Sequence, residues 1–337
     1  MLFDKKIIFS LVSTICILSL IILSLGVNPL DVLVALYKGS VGNNYFLKQT
    51  LMTSGILMLT ALAAVIPFSA RLWNLGAEGQ MILGAATASY LGVFLVDRMP
   101  VPLSFGTIIL VSFLTGALIS SFCGFLKVKF NASEVVSTLM VNFIALSVSA
   151  WMIFELIPAK MVQRTISIGK EFRIKDPVSI YLNPVFIVGI LCCVLLYFIM
   201  TRTKYGFQTR AMGSNIYASK LSGINPSIIT VITFFFAGGF AALAGTLIIL
   251  ARDFSLLLNF SSNYGYLGIG VALVARLNPL AVIPIAFIFA MLSVGSNSLQ
   301  AITGISPMIG NVFVAMLVLS LMFFKVIKFK YPENING

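Results

Sequence analysis

Residues 73–80 read Trp-Asn-Leu-Gly-Ala-Glu-Gly-Gln, WNLGAEGQ, and stand where two apolar runs meet. A carboxylate set between glycines, with Asn and Gln beside it, is conspicuous in a chain that has only 10 acidic residues among 337. The runs on either side, 49–70 and 79–96, contain no Asp, Glu, Lys or Arg. Each has the length a helix needs to cross a hydrocarbon layer of ~30 Å. WNLGAEGQ therefore reads as a polar break between two membrane spans, with Glu78 in the first turn of the second span. The helix macrodipole favours a carboxylate there, and Arg71 is near enough in sequence to be its partner.

The rest of the chain fits that setting. It is 59% hydrophobic and 9% charged, with a mean hydropathy of +1.06, whereas soluble domains carry roughly 25% charged residues. Further charge-free stretches run 7–30, 99–126, 135–154, 177–201, 221–251, 254–275 and 277–324. The last is long enough for two spans with a turn near Ser296 to Pro307. The expectation is an all-α polytopic protein of about ten transmembrane helices, forming one domain over 1–337.

Loop charges orient it. With the N-terminus inside, thirteen of the 22 Lys and Arg residues fall on the cytoplasmic side and nine outside, five of these in the single stretch Lys160 to Lys175. The asymmetry follows the positive-inside rule, and an even number of spans also places the Lys-rich C-terminus inside. The first span lacks a small-x-small cleavage site and is long for a signal peptide, so it reads as a retained anchor. The net charge of +12 reports orientation, because a nucleic-acid surface would need its cations on one soluble face.

Several chemistries are excluded. Cys16, Cys123, Cys192 and Cys193 lie in apolar spans, where Cys acts as a small hydrophobe, and their spacing fits neither a disulfide framework nor a metal site. The chain has no His, and hence lacks the commonest metal ligand and general base. No G-x-x-x-x-G-K-[ST] phosphate loop is present, so any energy from ATP comes from another polypeptide.

Two polar segments stand out. The inner stretch 201–227 carries four cations and no acid. Ser214-Asn215 can start a short helix there and Gly223 can stop it. It reads either as a solvated loop held by anionic lipid or as a docking helix for a cytoplasmic partner. The outer loop 158–180 is basic, with Glu171 and Asp176 interspersed, and suits a small lid or hairpin. Within the spans, the larger polar groups are Asn74, Glu78, Gln80, Asn142, Asn297, Gln300 and Asn311. They must face the bundle interior or a watery cavity, as interhelical glue of ~0.6 kcal/mol each or as pathway lining. Trp73 and Trp151 suit the aromatic belt. A second Gly-rich start, Tyr266-Leu267-Gly268-Ile269-Gly270, echoes Asn74 to Gly79. The two sit at matching places in spans 2–5 and 7–10, the pattern of an inverted repeat.

Four blocks, in order, resemble one family. RLWNLGAEGQMILGA (71–85) is similar to the NIGAEGQ signature of bacterial ATP-binding-cassette import permeases in the simple-sugar and nucleoside branch. KFNASEVVSTLMVNFIAL (129–146), GFQTRAMGSNIYASKLSGIN (206–225) and GIGVALVARLNPLAVIPIAFIFAMLSVGSNSLQ (268–300) resemble that branch's further motifs. The Ala-Glu-Gly-Gln form is closest to the nucleoside type. Ser219, where Ala is common, and Arg276, where Gly or a short polar residue is usual, depart from the pattern.

The resemblance implies a non-enzymatic subunit of a heteromeric importer in the bacterial inner membrane, with both termini cytoplasmic. Its partners would be a second permease, a cytoplasmic ATPase that binds the ATP, an external substrate-binding lipoprotein, and membrane lipid. Gly213, Asn215, Ala218 and Gly223 would belong to the segment that couples to the ATPase. Asn74, Glu78, Gln80, Asn142, Asn297 and Gln300 would line or support a pathway for a nucleoside or simple sugar, opened by alternating access. Two other readings stay open: an ion-coupled secondary transporter, which calls for an ionisable residue near a span midpoint, and a non-transporting assembly subunit.

Overall fold

A computed structural model describes residues 5–24, 26–96, 98–160, 162–174, 183–258, 260–297 and 299, with isolated positions between 304 and 319. Among them no strand forms, and helices account for nearly all the regular structure. Lipid offers no partner to backbone N–H and C=O groups, so a spanning chain must satisfy them within each segment.

The helices are α1 (Lys5–Ser24), α2 (Pro29–Val41), α3 (Asn44–Ser69), α4 (Ala77–Phe94), α5 (Val101–Phe130), α6 (Glu134–Trp151), α7 (Pro184–Arg202), α8 (Lys204–Ser214), α9 (Ile216–Leu221), α10 (Pro226–Ile248), α11 (Tyr264–Val274) and α12 (Pro279–Ser296). Helix α6 continues as a π-helical turn to Leu156, and α10 as another to Asp253. Six helices are long and apolar enough to cross a membrane: α3, α5, α6, α7, α10 and α12. The pair α1–α2, bent by 106°, makes a seventh span if counted as one. Helices α4 and α11 occupy the remaining expected span positions before residue 300, and the tenth expected span lies outside the described residues. Helix α2 was not expected from the charge-free stretches, because Asp31 and Lys38 interrupt its sequence.

Four helices start in the same way. Asn28-Pro29, Asn183-Pro184, Asn225-Pro226 and Asn278-Pro279 each place an Asn at the cap and a Pro at the first helical position. The Asn side-chain oxygen accepts from N–H groups two or three residues on: Leu30 at 3.0 Å, Val185 at 3.0 Å, Ser227 at 3.0 Å and Leu280 at 3.1 Å. Asn is among the best caps. Proline costs nothing at a position whose N–H has no helical partner. These starts are encoded locally.

The chain divides into two compact units. One comprises residues 1–50 and 288–337. In it Ile22, Val32, Ala35, Leu36 and Leu299 form an apolar cluster. The Thr50 hydroxyl donates to the Ser40 carbonyl at 2.8 Å.

The other comprises residues 51–287. Its centre is the packing of α10 on α4 and α5. A side chain at Gly245 would strike the Met81 carbonyl of α4, and one at Gly238 would strike the Gly116 carbonyl of α5. These helices touch backbone to backbone, as close-packed small residues allow where lipid gives no hydrophobic drive. Two long helices in this unit, α3 and α10, are each followed by an unwound link (70–76 and 254–263) and then by a glycine-bearing helix, α4 or α11.

The loop that follows α6 forms a short irregular hairpin, with Pro158 bridged to Thr165. It is laid across the α10–α11 link: Thr165 N–H donates to Leu256 O at 2.9 Å and Ile168 N–H to Phe254 O at 2.8 Å. Gly169 N–H reaches Gly92 O near the end of α4 at 3.0 Å. Residues 175–182 lie outside the described set.

Candidate functional site

The link 70–76 meets α4, α6 and α11 in a buried polar cluster within the 51–287 unit. Asn74 and Gln80 are fully buried and pair reciprocally. Asn74 Nδ2 donates to Gln80 Oε1 at 3.1 Å, and Gln80 Nε2 donates to Asn74 Oδ1 at 3.0 Å. Asn74 Oδ1 also accepts from Gly76 N–H at 3.1 Å. The two amides close the unwound link into a staple that spans the first turn of α4. Their polar atoms are spent on each other and on backbone, so both residues support the link from inside the packing.

Helix α4 has no cap of its own. Gly76, at the cap position, supplies no side chain, yet the first N–H groups of a helix need partners. Asn142 on α6 provides one from across the packing: its Oδ1 accepts from Gly79 N–H at 2.8 Å. The Asn142 amide donates to Leu75 O and to the Tyr266 hydroxyl of α11, both at 2.9 Å. Thr138, one turn earlier on α6, accepts from Leu75 N–H at 3.2 Å. Gly79 is required for this approach, since a Cβ there would lie 2.7 Å from Asn142 Cα.

Helix α11 is in the same position. Its cap residue, Asn263, is left-handed and makes no side-chain cap bond. Glu78 supplies the cap from α4: Gly265 N–H donates to Glu78 Oε2 at 2.7 Å. The Ser261 hydroxyl and the Tyr266 N–H also reach this carboxylate. A short bond from a backbone N–H to a carboxylate is charge-assisted and stronger than a neutral pair, and the α11 dipole adds to it. Glu78 is 5% exposed. Arg71, the partner suggested by sequence, is exposed and left-handed with φ 57°. Among the described residues it forms no ion pair with Glu78, whose counter-charge comes from amide dipoles and a hydroxyl. Gly265 lies directly on Glu78, and a Cβ at that position would strike Glu78 N and sit 2.7 Å from Oε2.

The α10 end of the α10–α11 link is fixed separately. Arg252 forks onto Asp253 at 2.8 and 2.9 Å, donates to Phe260 O at 2.8 Å and reaches the Tyr264 hydroxyl at 3.3 Å.

Between α8 and α10, Asn215 caps α9 by accepting from Tyr217 N–H at 2.9 Å and Ala218 N–H at 3.0 Å. Gly223 ends that helix with φ 79°, the left-handed stop that glycine tolerates best. The short helix read from Asn215 and Gly223 is therefore present. Ser219 is buried, and its hydroxyl donates to Asn215 O at 2.8 Å within the same helix, so this departure from Ala is accommodated locally. Gly213 packs against Ser69 O and Ala70 Cα at the end of α3.

The structure thus gathers Asn74, Glu78, Gln80 and Asn142 into one cluster. Asn297 is an exposed turn residue beyond α12, in the other unit, and Gln300 lies outside the described residues. Thr138, Ser261, Gly265 and Tyr266 belong to the cluster and were not singled out as polar site residues. Of these, Tyr266 carried a sequence signal through the Gly-rich echo at 266–270, and Thr138 lies in the family-like block 129–146.

Residues 46–325 match a family described as "Branched-chain amino acid transport system / permease component". The chain belongs to this family. It is 28% identical to the nucleoside ABC transporter permease protein NupB of Lactococcus lactis, over 92% of this chain and 87% of that protein. It is 26% identical to the guanosine ABC transporter permease protein NupP of Bacillus subtilis, over 85% and 83%. It is also 25% identical to the glucose ABC transporter permease protein TsgB13 of Haloferax volcanii, over 90% and 84%. The expectation of a multi-pass permease subunit of an ATP-binding-cassette importer, in the simple-sugar and nucleoside branch, is borne out.

Proposed function

We propose that this permease forms the membrane pathway for a nucleoside, driven by ATP hydrolysis on a separate cytoplasmic subunit. The observation that carries the substrate class is similarity to nucleoside and guanosine permeases over nearly the whole chain. The glucose permease among its relatives supports a simple sugar as the second reading.

In this reading both termini are cytoplasmic, a second permease completes the pathway, and an external lipoprotein delivers substrate over the face that carries the 158–180 loop. The ATPase docks on 201–227. Support comes from α9, where Tyr217 and Leu221 are 76% and 91% exposed. They lie four residues apart on one helix face, an apolar pair suited to a groove on a partner. Gly213, Asn215, Ala218 and Gly223 shape this segment. Neutral nucleosides are bound by stacking and hydrogen bonds and need no fixed charge; in this reading Asn297 and Gln300 line the pathway, while Asn74, Glu78, Gln80 and Asn142 support it. The inverted repeat of spans 2–5 and 7–10 is part of the proposal. It is supported by the matched order of long helix, unwound link and glycine-bearing helix.

The test is uptake of labelled guanosine and labelled glucose by proteoliposomes holding both permeases, the ATPase and the binding lipoprotein. ATP-dependent guanosine uptake that glucose does not compete away is expected. Uptake that runs on a proton or sodium gradient without the ATPase would contradict the importer, and glucose uptake alone would reassign the substrate.

A further inference from the structure

The coupling segment and the cluster around Glu78 are joined by a single stretch of chain. Ala70 and Leu72 share an apolar cluster with Met212, Ile224, Ile229 and Phe234, so the start of the 70–76 link is packed on α8, on the residue after α9's stop and on the foot of α10. Gly213 permits backbone contact at that junction, since a side chain there would strike the Ser69 carbonyl. The turn is closed by Leu72 N–H donating to Pro67 O at 2.9 Å. Beyond it the link is unwound but cross-braced by the Asn74–Gln80 pair. It runs straight into the turn that carries Glu78.

We infer that residues 69–80 transmit movement of the coupling segment to α11, and that Glu78 is the positioning residue that makes the joint. The joint works in both directions. Pushing is steric, because Gly265 rests on the Glu78 backbone with no room between them. Pulling is through hydrogen bonds from Gly265, Tyr266 and Ser261 to the carboxylate. A carboxylate is suited to this, as an acceptor-only group facing three donors. Helix α11 has 11 residues, about 16 Å at the α-helical rise, and a body that short can shift as a unit. The inference rests on the docking of an ATPase at α9 but not on the identity of the substrate.

Hydrogen exchange tests it without substrate. The assembled importer in nanodiscs is compared with and without a non-hydrolysable ATP analogue, reading 216–221 and 264–268. In the wild type, nucleotide should change exchange at both segments, by roughly threefold or more at 264–268. In Glu78→Gln the response at 264–268 should fall by roughly threefold while that at 216–221 persists. Should that variant fail to assemble, Ser261→Ala removes one donor from the α11 side and should weaken the same response. An unchanged response at 264–268 in either variant overturns the inference, as does a wild type that responds only at 216–221. Silence at both segments overturns the docking reading and this inference with it. A failed guanosine uptake assay touches neither.

Discussion

Two kinds of helix start in this protein contrast with each other. Helices α2, α7, α10 and α12 begin at Asn-Pro, where the cap and the first residue are neighbours in sequence. Helices α4 and α11 begin without a side-chain cap of their own and borrow one, from Asn142 on α6 and from Glu78 on α4. A locally capped start keeps its end wherever the helix moves. A borrowed cap holds only while two helices stay in register, so the start of α11 reports the position of α4. On the inference above, the contrast puts the conformationally sensitive joint at the two glycine-bearing helices, α4 and α11.

That contrast can be broken by mutation. Glu78→Ala leaves three donors facing a void and should have the largest effect. Unsatisfied buried donors cost ~1–3 kcal/mol each, and a lowered melting midpoint of the purified complex would show it. An unchanged midpoint would mean that α11 starts without its borrowed cap. Asn142→Ala strips Gly79 N–H and Leu75 O of their partner and should cost about 2 kcal/mol, read in the same melt. Asn225→Ala removes a local cap at about 1 kcal/mol. It should lower the midpoint yet leave the nucleotide response of 264–268 intact. Loss of that response would erase the distinction between the two kinds of start. Tyr266→Phe removes one of the two acceptors of the Asn142 amide while Leu75 O remains, and should cost about 0.5 kcal/mol.

Much of this was legible in sequence. Charge-free stretches located nine helices among the described residues, because burying charge in lipid is expensive at every position along a helix. The short helix at 216–221 was readable from Asn215 and Gly223, since caps and stops act over a few residues. Helix α2 was hidden by two charges that its position tolerates. The four Asn-Pro starts were visible in principle and mark helix beginnings better than charge alone.

The wiring of Glu78 was not legible. Its nearest cation in sequence, Arg71, pointed to an ion pair, but the true partners lie more than 180 residues away at Ser261, Gly265 and Tyr266. Nothing local specifies such a pairing; it follows from how α4 and α11 pack. Asn74, Gln80 and Asn142 were picked as buried polar groups, and only the structure shows that Asn74 and Gln80 bond each other while Asn142 bonds backbone and the Tyr266 hydroxyl.

The most direct test of the central claim is the amount of guanosine imported per ATP hydrolysed by the assembled Glu78→Gln importer in proteoliposomes. If Glu78 joins the coupling segment to α11, this ratio should fall about tenfold in a complex that still assembles and still hydrolyses ATP. A ratio equal to that of the wild type, with uptake and hydrolysis changing in step, would contradict it.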